Sequence, residues 1–160
     1  MSGGRRFNPL LAARSVARRL AAQALYRWQL NDSPWQDLVP EFDQEPDMAK
    51  ADRGYFLGLI GDIGRERSAL DDLLASWQDR AAAALDPVEH AILWIGLTEL
   101  RSRAEVPWRV AINEAVSLTK RFGATDGHKF VNAVLDKAAH ALRGAEINSE
   151  QRPSFPGSDG

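Results

Sequence analysis

Two sets of basic residues and one displaced tryptophan are the side chains whose type and spacing suggest binding chemistry. Arg14 and Arg18 stand one helical turn apart, so both guanidinium groups can reach one strand of phosphates. No acid precedes Asp32, while Arg5, Arg6, Arg14, Arg18, Arg19 and Arg27 all lie before it. The alternative is a solvated face balanced by acids elsewhere in the chain. In the run TDGHKFVNAVLDKAAHAL (125–142), Val131, Val134, Leu135, Ala138 and Leu142 form one apolar stripe. Lys129 points roughly opposite that stripe, and Phe130 lies at its edge. A lysine beside a half-exposed aromatic in a first helical turn can hold a phosphate and stack a base. Gly127 leaves room there for a close approach. Phe130 also has an ordinary reading as a core residue.

Trp94 falls on the polar strip of its helix, with His90 and Arg101, inside an acidic stretch. In that position it is a candidate protein-contact residue. Catalytic patterns are missing. His90, His128 and His140 lack metal-ligand spacing, there is no cysteine, and neither HExxH nor Gly-x-Ser-x-Gly occurs. GLIGDIG (58–64) has glycines at every third position but lacks Gly-x-Gly and a preceding strand, so it reads as a helix-packing strip. No enzyme activity, cofactor or metal is expected.

The elements that must position these residues read as helices throughout. Asn8-Pro9 is an N-cap with proline at the first helical position, opening a helix to about Leu30. Ser33-Pro34 starts a short helix that Pro40 is expected to end. A longer one runs from about Met48, breaks near Gly64 and continues to Gln78. Asp86-Pro87-Val88-Glu89 caps a helix that is apolar on two sides and therefore belongs in the middle of a bundle. Pro107 opens the next, which stops at Gly123, and Thr125 caps the last, which ends at Gly144. The expected fold is all-α, a compact bundle of six or seven helices spanning residues 9–143. Residues 1–8 read as a disordered basic extension and 144–160 as a disordered tail.

Length and charge bound the possibilities. One hundred and sixty residues, 44% hydrophobic and 26% charged, suffice for one domain. Without cysteine, disulfide scaffolds and thiolate chemistry are excluded, and a cytoplasmic location is expected. No apolar run approaches the roughly 20 residues that span a bilayer. The net charge of −2 hides a segregation: from Asp32 to Glu105 sixteen acids face seven bases. That asymmetry suggests one face for a polyanion and another for a different partner.

AAQALYRWQL (21–30), DRGYFLGLIGDI (52–63), DPVEHAILWIGLTEL (86–100), VPWRVAINEAVSLTKRFG (106–123) and DGHKFVNAVLDKAA (126–139) together resemble the NusB family of bacterial transcription antitermination factors. The resemblance runs in order from about Arg14 to Arg143. It implies an all-helical protein that binds boxA RNA together with NusE, a small-subunit ribosomal protein, at elongating RNA polymerase on ribosomal RNA operons. It implies RNA contacts by Arg14, Arg18, Lys129 and Phe130, and a NusE surface at Tyr26 and Glu89. Asp126 falls where the family's acid moderates RNA binding. Where relatives often carry consecutive arginines, this chain reads Arg14-Ser15-Val16-Ala17-Arg18. Related helical domains also precede ribosomal RNA methyltransferases, but no Gly-rich cofactor domain follows here, and a pure protein-interaction module is the remaining alternative. A homodimer masking the basic helix stays open.

Overall fold

Asn8 starts the first helix as its side chain dictates, accepting from the Leu10 and Leu11 amides ahead of Pro9. The computed structural model describes residues 8–151. Its helices are α1 (Pro9–Leu30), α2 (Leu38–Phe42), α3 (Arg53–Leu74), α4 (Pro87–Ser102), α5 (Trp108–Phe122), α6 (Gly127–Leu142) and α7 (Gly144–Gln151). Short 3-10 turns lie before α2, α3 and α4. The all-α expectation holds across the described residues; residues 1–7 and 152–160 lie outside them.

Several boundaries differ from expectation for identifiable reasons. Pro40 does not end a helix but sits in the first turn of α2, where its missing amide would have had no partner. The α3 helix begins at Arg53 instead of Met48, because Pro46–Lys50 form a 3-10 turn and Asp52 caps the Tyr55 amide. The break expected near Gly64 is present, at Glu66, whose φ of −115° and ψ of 18° are not helical. Gly64, two residues earlier, admits the Trp35 indole, which would stand 2.4 Å from a Cβ. Asp126, with φ 68°, and not Thr125, precedes α6.

The centre of the bundle is α4. All residues from Glu89 to Leu100 are buried, and α1, α3, α5 and α6 pack around it. A helix surrounded on every side needs partners for the polar groups it carries, and most of them find one, Thr98 Oγ1 and Glu99 Oε1 being left without. Arg18 against Glu99, and Gln29 donating to the Pro87 carbonyl at 2.8 Å, show that α1 runs antiparallel to α4. In contrast, Gly127 lies against Glu89, Gly96 against Leu135, and Arg143 against Leu100, so α6 runs parallel to it.

The expected disordered tail is corrected over its first half: residues 144–151 form α7. Ile147 is 2% exposed, Glu146 accepts from the Trp108 amide, and Glu150 accepts from the Trp108 indole at 3.0 Å. Arg143 links the two helices. Its guanidinium donates to the carbonyls of Leu100, Glu99, Arg103 and Val106 and to Glu146, closing the C-terminal end of α4.

Candidate nucleic-acid interface

The basic face of α1 is largely neutralised inside the fold. Arg18 is 4% exposed, held by Glu99 at 2.7 Å and Glu114 at 3.2 Å. Arg14 lies 3.7 Å from both Asp52 and Glu105 and stacks over the Tyr55 ring. Arg19 pairs with Asp47, and Arg27 with Glu41. Most of these acids belong to the central acidic block, so much of the charge segregation seen along the chain is internal pairing. Burial alone would lower the Arg18 pKa, but Glu99 and Glu114 together hold it above its ordinary value. Glu99 itself is pushed up by burial despite Arg18 and the Tyr55 hydroxyl, which donates to it. The expectation that Arg18 contacts phosphate is therefore corrected: its side chain is buried, with Nε held by Glu99 and Nη1 by Glu114.

Trp94 is corrected likewise. It is fully buried, with its indole donating to Asp71 at 2.9 Å. His90 meets the same carboxylate at 2.6 Å, and Trp28 packs against Trp94 with ring centroids 6.0 Å apart. Arg67 stacks over both indoles. The part of the strip that carries His90 and Trp94 faces α3, which supplies Asp71 and Arg67, while Arg101 at its far end stays exposed and pairs with Glu66. Burial would raise the Asp71 pKa, but the bonds from His90 and Trp94 bring it below the ordinary range.

The remaining sites collect at the end of the bundle where α4 begins. Lys129 is exposed in the first turn of α6, 3.4 Å from Asp126. Phe130 is half-buried and packs against the hydrophobic core. Arg80, from the loop before α4, lies 4.6 Å over that ring. Glu89 is only 5% exposed, which leaves little of it for a partner. A Cβ on Gly127 would stand 2.4 Å from its carboxylate oxygen, so the room at Gly127 is taken by Glu89. A carboxylate at a helix N-terminus is favourable there. Burial, then the neighbouring Asp86, push the Glu89 pKa up, and Arg80 partly offsets this.

Tyr26 lies at the same end, 38% exposed. With Leu30, Val88 and Phe122 it lines a groove of about 600 Å³. Leu30 is 58% and Phe122 36% exposed, an apolar surface that sequence periodicity did not single out.

Arg14 and Lys129 do not share one compact wall. Arg14 reaches Glu105, past the C-terminal end of α4, whereas α6 begins against Glu89 at its N-terminal end. The 16 residues of α4 make that separation about 24 Å. A strand touching both must run along the bundle.

A family model described as the NusB family matches residues 15–140. The chain belongs to the NusB family. It is 43% identical over 136 residues to the transcription antitermination protein NusB of Hydrogenovibrio crunogenus, covering 85% of this chain and 84% of that protein. The Shewanella pealeana protein of the same name is 49% identical over 124 residues, with 78% and 92% covered. The solved structure of T. maritima NusB is similar with a TM-score of 0.72 at 25% identity, covering 84% of this chain and 96% of that one. The NusB match stops three residues before Arg143, so α7 lies beyond it. Among the described residues, no helix is long and apolar enough to cross a membrane.

Proposed function

We propose that this chain acts in transcription antitermination, binding boxA-type single-stranded RNA together with NusE at the elongating RNA polymerase, in the cytoplasm. Membership of the NusB family supports the role. The observation that carries RNA contact is the exposed Lys129 beside the half-buried Phe130, with Asp126 near enough to compete for the ammonium. Lys129 neutralises a phosphate and Phe130 stacks an unpaired base. Arg14, with its side chain 22% exposed, is a secondary phosphate contact at the far end of α4. Arg18 and Trp94 take no part at the surface.

The groove lined by Tyr26, Leu30 and Phe122 is the surface for NusE. Glu89 serves it indirectly, by holding the start of α6 against α4. The test is a titration of labelled boxA-type RNA with and without NusE. The expected result is tighter binding with NusE, weakened by Tyr26→Ala only when NusE is present. Equal affinity with and without NusE would count against the shared complex.

A further inference from the structure

Arg80 is an exposed arginine whose surroundings differ from those of most arginines here. Arg18 and Arg103 also lie over a ring, that of Tyr55, but acids hold them at 2.7 Å (Glu99) and 2.8 Å (Asp62), whereas Arg80 lies over a ring with no acid paired to it among the described residues. The ring is that of Phe130, next in sequence to the exposed Lys129. The backbone beneath Arg80 is fixed. The Arg80 amide donates to the Gln78 side chain at 2.6 Å, and the Gln78 amide group donates back to the Arg80 carbonyl at 2.6 Å. Trp77, one residue earlier, packs on the hydrophobic core and anchors the loop.

A guanidinium is planar and weakly hydrated, and its two faces can each meet a π-system. The Arg80 guanidinium carbon lies 4.6 Å from the Phe130 ring centroid, and the residue as a whole is exposed. We propose that Arg80 is a base-stacking residue of this site: its guanidinium extends the Phe130 ring into a platform, and an unpaired RNA base lies on the outer face. The inference rests on the RNA-binding reading above and adds a residue from a third segment to it. Lysine at position 80 keeps the charge but has no plane, so plane and charge are separable.

The experiment measures the affinity of a short boxA-type RNA, and of the same RNA carrying single abasic positions, for the wild type, Arg80→Lys, Arg80→Ala and Lys129→Ala. Because Arg80 is exposed, its variants are expected to melt with the wild type, which thermal denaturation checks. Arg80→Lys should lose about tenfold in affinity, the scale of one stacked base, while keeping its salt slope. One abasic position should weaken the wild type and leave Arg80→Lys unaffected. Affinity of Arg80→Lys or of Arg80→Ala equal to the wild type overturns the platform, even if Lys129→Ala still weakens binding. Failure of the wild type to bind any RNA would instead remove the RNA-binding reading itself.

Discussion

Arg18 and Trp94 were both drawn inward by partners far along the chain. Arg18 meets Glu99 across 81 positions, and Trp94 meets Asp71 across 23. Local periodicity places each on a polar strip, but it cannot say whether that strip faces water or another helix. Lys129 needed no such information, because the stripe opposite it fills the interior and nothing covers its own side. For Arg18→Ala we expect a loss of about 3–5 kcal/mol, since Glu99 is left buried without its cation. Urea denaturation would measure it; a loss below about 1 kcal/mol would argue that Glu99 is satisfied without Arg18. Asp71 gives a pH dependence. Its pKa in the fold lies below the unfolded value, so its contribution is full above the ordinary carboxylate range and fades as pH falls through the folded value. Asp71→Asn should therefore lower stability at neutral pH and lessen the decline towards acid. Parallel stability–pH curves for the two proteins would refute this.

The helices themselves were mostly legible, because their ends carry local chemistry. Asn8 and Asp86 begin α1 and α4 by accepting first-turn amides ahead of Pro9 and Pro87, and Gly123 ends α5 where a Cβ would stand 2.8 Å from the Thr119 carbonyl oxygen. Two elements escaped that reading. Pro40 is tolerated where a first turn leaves its amide without a partner, and α7 owes its order to Trp108 and Arg143, not to its own weakly apolar sequence. Arg143→Ala should release the C-terminal carbonyls of α4 and cost about 1–3 kcal/mol, read by urea denaturation. An unchanged midpoint would mean that water replaces the guanidinium. Ile147→Ala should undock α7 alone: amide hydrogen exchange would rise in α7 while α4 stays protected. Exchange rising equally in both would show that α7 supports the whole fold.

At the level of the whole molecule, the charge asymmetry of the sequence was visible but its meaning was not. The arginines of α1 mostly pair with acids of the central block, so the excess that remains for a polyanion lies elsewhere. The end of the bundle where α4 and α6 both begin carries Arg80, Lys129 and Phe130, with the Tyr26 groove near by. Asp126 lies 3.4 Å from the Lys129 ammonium there. Asp126→Asn should raise RNA affinity a few-fold, most clearly at low salt, where an exposed ion pair is least screened. In the RNA-binding reading proposed above, this end, and not α1, makes the main RNA contact. The most direct test of that reading compares the salt dependence of boxA-type RNA binding for Lys129→Ala and Arg14→Ala. Lys129→Ala should lower affinity and flatten the slope by about one ion, with a smaller change for Arg14→Ala. A larger loss on Arg14→Ala, with Lys129→Ala matching the wild type, would contradict it.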